Sequence, residues 1–210
     1  MAEPATTPAP PALPIDSSDV AWAAVPAHQS PEELSAICRD VEALFRVNPY
    51  LYFSQWRQSG PTSYHAEFEN QSNDRKLALD LDVTSGPGLG ATVRFSTGLK
   101  RRTVFSIEPF AQGSRLVIVD DYGGVAEAER EQRLSEVDKS LKAWGEALRV
   151  YFLRLRRYRR LPGWRWYIRR VWVPMKPSQR RIVWLLYLIT VVEFFFFLFV
   201  LLIYVIEQNK

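Results

Sequence analysis

GLKRRTVFSIEPFAQGSRLVIVDDYGG, residues 98–124, decides how the rest of the chain is read. Polar and apolar residues alternate from Arg102 to Phe110 and again from Ser114 to Tyr122, with only Ala111, Gln112 and Gly113 between the two runs. A two-residue period is the signature of a strand with one buried face, and so short a break leaves room only for a hairpin. Working backwards, the same alternation recurs in Ala91 to Thr97, in Lys76 to Val83 and in Thr62 to Glu69. It recurs once more in Tyr50 to Arg57. Gly98, the SGPGLG of residues 85–90, the NQSND of residues 70–74 and Gly60-Pro61 separate these runs and supply the turn chemistry. The spacing predicts six antiparallel strands between residues 50 and 122, preceded by a seventh at Val20 to Val25.

Two helical patterns flank the strands. Ser30-Pro31-Glu32-Glu33 places a capping residue before a proline, with acids in the first turn. Leu34, Ile37, Cys38, Val41, Leu44 and Phe45 then form one stripe, predicting a single helix that stops at Asn48-Pro49. After Gly124, the stripe Leu134, Val137, Leu141, Trp144, Leu148, Tyr151, Phe152 and Leu155 predicts a long helix from about Ala126 to Tyr158. A coiled-coil partner would use the same spacing, but a meander with an apolar face needs a cover, and this helix is long enough to provide it. The expected fold is α+β.

Strand, helix, six-stranded meander and long closing helix is an order similar to that of the SRPBCC superfamily, whose START-like helix-grip fold wraps an antiparallel sheet on a C-terminal helix. The resemblance covers roughly Val20 to Leu155. It is carried by SPEELSAICRDVEALFRVNPY leading into the strands, by GLKRRTVFSIEPF followed by GSRLVIVDDY, and by DDYGG leading into the last helix. With its apolar C-terminus, the chain resembles the bacterial members that carry a membrane anchor. The resemblance implies an apolar cavity of the kind that receives lipids, quinones, sterols or polyketides. Its expected lining is Phe53, Tyr64, Phe68, Leu79, Leu81, Phe95, Phe105, Ile107, Val117, Trp144 and Phe152. A solid core would use the same residues.

Charge divides the chain more sharply than its net value of +4 suggests. Residues 1–149 carry 15 basic and 21 acidic side chains, whereas residues 150–181 carry 11 basic ones and no acid. A claim that the whole surface seeks nucleic acid is therefore unwarranted. In the basic stretch, Arg165, Arg169, Arg170, Lys176, Arg180 and Arg181 alternate with Trp164, Trp166, Tyr167 and Trp172. This pairing of guanidiniums with aromatics suits anionic lipid headgroups at a membrane interface. Trp164, Ile168, Val171 and Trp172 share one helical face, which predicts an amphipathic helix lying in that interface.

Ile182 to Ile206 is a run of 25 residues with one charge. As a helix it reaches roughly 37 Å, enough for the ~30 Å hydrocarbon core with some tilt. The basic side of the run is the N-terminal one, so the positive-inside rule keeps the large N-terminal part cytoplasmic. A span this close to the C-terminus implies tail-anchored insertion. Glu193, near the middle of the run with Thr190 one turn earlier, is expected to meet a membrane-protein partner or a second copy of the chain.

The expected organisation is a disordered Pro/Ala-rich tail (1–18), a cytoplasmic domain (19–160), a basic aromatic juxtamembrane segment (161–181), a transmembrane helix (182–206) and a short outer tail (207–210). No catalytic constellation is visible. One cysteine, Cys38, and two histidines, His28 and His65, offer no metal-ligand spacing, and no cofactor is expected. Asp120 and Asp121 fall on opposite strand faces and read as turn residues near Gly123, while Glu108 and Arg94 are candidates for polar anchors in a pocket. The expected function is a non-catalytic module at the cytoplasmic face of a bacterial inner membrane, binding an apolar ligand of lipid or quinone type. An accessory subunit of a membrane complex is the first alternative, and a cyclase- or hydrolase-type enzyme the second.

Overall fold

The computed structural model describes residues 19–86, 89–110, 113–124 and 137–209. Seven strands form one antiparallel sheet: β1 Val20–Ala27, β2 Leu51–Gln58, β3 Ser63–Asn70, β4 Arg75–Ser85, β5 Ala91–Phe95, β6 Arg102–Phe110 and β7 Gly113–Asp121. Their order is β1-β7-β6-β5-β4-β3-β2, so the meander runs unbroken from β2 to β7 and β1 closes on its last strand. The hairpin read from residues 98–124 is present, with Phe105 opposite Ile118 and Ile107 opposite Leu116. Gly113 opens β7 where a side chain has no room, since a Cβ there would stand 2.6 Å from the Ala27 carbonyl oxygen. In β2 the register shifts between Phe53 and Gln55. That bulge changes the parity of the strand, so Trp56 rather than Gln55 packs towards the core.

The single helix expected between β1 and β2 is two: α1, Pro31–Cys38, and α2, Val41–Val47. Ser30 caps the first through Glu33 N–H at 3.2 Å. Asp40 restarts the helix by accepting from Ala43 N–H at 3.2 Å, so a short acid that favours caps over helix interiors outweighs the unbroken apolar stripe. The long closing helix is also shorter than its periodicity suggests. Helix α3 is Leu141–Arg157, and residues 137–140 ahead of it are not helical; the expected stretch from 126 to 136 lies outside the described residues. Ser140 stands at its N-cap, where the hydroxyl accepts from the Asn48 side-chain amide at 2.7 Å. Asn48 also ends α2, so one buried side chain ties the two helices.

Helix α3 packs on β1 and α2, and α1 on β6 and β7. The core between them and the sheet holds Leu34, Leu44, Phe105, Leu116, Ile118, Trp144, Leu148 and Phe152. A separate small cluster of Val104, Val117 and Val119 lies with Val20 and Trp22. Cys38 is buried in the main core, and burial pushes its thiol up to about 12. The native thiol is expected to resist a thiol reagent at pH 8 and to react only as fast as the domain opens, which mass spectrometry of alkylated protein checks. Its raised pKa also contributes stability that is fully present below the ordinary thiol value and is lost as pH rises towards about 12.

The described residues form two compact units that divide after Pro174. Helix α4, Trp164–Tyr167, continues as a π-helical turn, Ile168–Trp172, and belongs to the first unit. The second contains α5, Pro177–Gln208.

Candidate functional site

The space between the sheet and the closing helix is largely filled by aromatic rings. Phe45, from α2, stands at the centre, with its ring 5.1 Å from Trp144, 6.0 Å from Phe105, 6.0 Å from Trp56 and 6.2 Å from Phe95. Trp144 is wholly buried and its indole N–H donates to the Leu44 carbonyl at 2.8 Å. Beside Phe45 the rings leave a cavity of about 60 Å³. Apolar atoms of Phe45, Leu51, Phe68, Leu77, Leu79 and Phe95 form its walls, and Arg75, Asn70, Asn73 and Thr97 contribute polar atoms.

Its polar end is a buried charge cluster. Lys100, in the β5–β6 turn, points its ammonium at Asp120 of β7 and at Asp138 ahead of α3, 3.0 Å from a carboxylate oxygen of each. Thr103, directly across the β6–β7 ladder, donates its hydroxyl to the other oxygen of Asp120. The other oxygen of Asp138 accepts from Ser72 Oγ at 3.1 Å and from Ser140 N–H at 2.9 Å. Burial alone would push the Lys100 ammonium down, but its two carboxylates together outweigh that and hold it above the ordinary lysine value. Asp138, stripped of water yet facing Lys100 and the Ser140 donors, is held well below the usual carboxylate range. For Asp120 desolvation wins, and its carboxyl is raised. Tyr122 completes the wall. It is 7 % exposed; burial pushes its hydroxyl up, the Asp138 backbone N–H lies against its oxygen, and its own O–H meets no acceptor among the described residues.

Of the residues expected to line a ligand cavity, Phe68, Leu79 and Phe95 do so. Phe53, Tyr64, Leu81, Phe105, Ile107, Trp144 and Phe152 belong to or pack against the solid core instead. Val117 is the clear correction: it is paired with Ser106, out of phase with Ile118, and lies in the cluster on the other face of the sheet. Asp120 and Asp121 do part to opposite faces, and Asp121 has the expected turn role, accepting from Gly123 N–H at 2.9 Å while pairing with Arg102 at 2.7 Å. Asp120 does not line the cavity but turns inward to hold Lys100 at its polar end, which its phase with Leu116 and Ile118 signals; Lys100 and Asp138, from irregular segments, carry no such periodic mark. Glu108 pairs with Arg115 at 2.6 Å and Arg94 is exposed, so neither anchors a pocket. Among the described residues no cluster of side chains could hold a metal ion.

The apolar face expected to dip into lipid packs on protein. Ile168 and Val173 are buried, joined by the i→i+5 bond of the π-turn at 2.8 Å, and that wider turn brings both onto one side. Trp172 stacks on Tyr151 of α3, centroids 6.2 Å apart and planes at 9°, and Trp164 and Tyr167 pack against the same core. Arg169 pairs with Asp40 at 2.9 Å. Arg165, Trp166, Arg169 and Arg170 are exposed. In the second unit, Lys176 and Arg181 are exposed and Arg180 is half-buried. Helix α5 is long and apolar enough to cross a membrane. Within it Thr190 donates its hydroxyl to the Leu186 carbonyl at 3.0 Å, leaving that oxygen only as an acceptor towards Glu193, which is exposed.

No family model matches the chain, and no curated protein matches its sequence. Solved structures do resemble it. A protein of Thermus thermophilus is 14% identical and aligns over 64% of this chain and 95% of its own, with a TM-score of 0.46. A START superfamily protein of Mycobacterium smegmatis is 15% identical over 65% of this chain and 97% of its own, also at 0.46. A STAR-related lipid transfer protein of Xanthomonas axonopodis is 15% identical over 63% and 84%, at 0.39. The strand order, the two helices between β1 and β2 and the closing α3 make an α+β fold in which one antiparallel sheet packs on a long C-terminal helix, followed by one apolar helix.

Proposed function

We propose that the chain is a non-catalytic helix-grip module, tethered to a membrane by α5, that takes up one end of an apolar membrane ligand of lipid or quinone type. The observation that carries this reading is the cavity beside Phe45, walled by apolar side chains and closed by a polar end, in a chain whose last helix suits a bilayer. Tethering would keep the module at a high effective concentration of such a ligand. Its size limits what enters. A 150 Å³ cavity accepts benzene, so about 60 Å³ admits only two or three heavy atoms while the rest of the ligand stays outside. The positive-inside rule puts the helix-grip unit on the cytoplasmic side, where the exposed Arg165, Arg169 and Arg170 would meet anionic headgroups. Glu193 would serve contact with a membrane-protein partner or a second copy.

The test is purification of the full chain from washed membranes in mild detergent, with quantitative mass spectrometry of everything that accompanies it. A near-stoichiometric apolar species is expected, together with its loss from the cavity-filling variant Leu77→Trp. Recovery of the chain in the detergent-free soluble fraction, or the same lipid profile from the variant, would overturn the reading.

A further inference from the structure

We infer that the inner end of the cavity is a binding site for a neutral carbonyl or hydroxyl group, such as a ketone, an ester carbonyl or an alcohol, and not for an anionic head. The inference rests on the reading above and specifies the chemistry of the ligand's buried end.

Two donors stand ready there. A phenol both donates and accepts, yet Tyr122 Oη, buried against the cavity with the Asp138 backbone N–H beside it, finds no acceptor for its own O–H within the described protein. Lys100 carries three N–H bonds and commits two, one to Asp120 and one to Asp138. A buried donor without an acceptor is costly, so a ligand oxygen placed between them removes a standing penalty.

Charge decides the class of that oxygen. The single ammonium of Lys100 already faces two carboxylates, so no positive charge is left uncompensated at the inner end. A carboxylate or phosphate entering there would lose its hydration beside Asp120 and Asp138 and gain no cation in return. Arg75 stands at the exposed rim rather than at the inner end. An ammonium head would meet Lys100 itself. A neutral oxygen avoids both repulsions, and a carbonyl carbon and oxygen with one substituent carbon make three heavy atoms, which the volume permits.

Three eight-carbon probes that differ only in the head test this on the full chain in detergent: 2-octanone labelled with ¹³C at the carbonyl, octanoate and octylammonium. Leu77→Trp supplies the baseline for partition into micelles. Over that baseline the ketone is expected to bind at least tenfold more tightly than either ion, with its carbonyl resonance moved downfield by hydrogen bonding. Tyr122→Phe should weaken ketone binding on the order of two- to tenfold and reduce the downfield shift, as expected for one neutral hydrogen bond. It should not lower the unliganded thermal midpoint, because the buried O–H has no acceptor to lose.

Octanoate binding as well as the ketone, or Tyr122→Phe holding the ketone as the unmodified chain does, would overturn the inference. So would probes that all match the Leu77→Trp baseline. An anionic lipid found in stoichiometric amount on the purified chain would sink this inference while leaving the ligand-binding reading intact. If no apolar species accompanies the chain and no probe binds, both fall.

Discussion

Lys100→Met is expected to lower the unfolding free energy of the helix-grip unit by about 3–5 kcal/mol, the range for removing one member of a buried ion cluster. The effect comes from what is left behind. Asp120 and Asp138 are nearly inaccessible, and without the ammonium between them two carboxylates face each other away from water. The variant's loss should depend on pH in a defined direction. In the unmodified chain Asp138 is held below its ordinary pKa, so it contributes stability above about pH 4 that is lost as pH falls. Without Lys100 both carboxyls rise above their unfolded value, and their contribution becomes one that is present at low pH and lost as pH increases. The gap between variant and unmodified chain should therefore narrow below about pH 4. Urea unfolding of the full chain in detergent, followed by tryptophan fluorescence from pH 3 to pH 8, checks this; a gap independent of pH would show that the cluster is not the cause.

Trp144→Ala should cost a comparable amount, about 3–5 kcal/mol, for a different reason. The indole is wholly buried among Phe45 and Phe105, so its removal opens a void that rigid neighbouring rings cannot close. It also deprives the Leu44 carbonyl of its donor at the C-terminal turn of α2, where the chain tightens and Asn48 N–H bonds to Phe45 instead. Trp144→Phe keeps most of the volume and loses the bond, and is expected to fall between the alanine variant and the unmodified chain. Equal midpoints for the alanine variant and the unmodified chain in the same urea titration would refute the packing argument.

The sheet was readable because a half-buried antiparallel strand writes its burial into sequence with a period of two. Leu77, Leu79 and Leu81, or Leu116 and Ile118, needed no tertiary information to be placed on one face. Helix limits were less legible. The stripe through Cys38 and Val41 continues across Asp40, and only the competition between a cap and a helical position settles where the chain breaks. The site was least legible. Lys100 lies in a turn, Asp138 ahead of a helix, and Asp120 and Tyr122 at the end of a strand, so they meet only after the sheet has curved and α3 has docked. The basic aromatic segment misled for a related reason. Its face of Trp164, Ile168 and Trp172 suits a bilayer and a protein core equally, and Tyr151 offered the nearer partner.

Adjacent acids at the end of β7 make the last hairpin intolerant of misalignment. Asp120 answers Lys100 inside the grip, and Asp121 answers Arg102 outside it. Sliding β7 by one position against β6 would turn every side chain over, sending each aspartate to the wrong cation and the apolar Leu116 and Ile118 towards solvent. The two neighbouring charges thus proofread the strand alignment on which the inner end of the cavity depends.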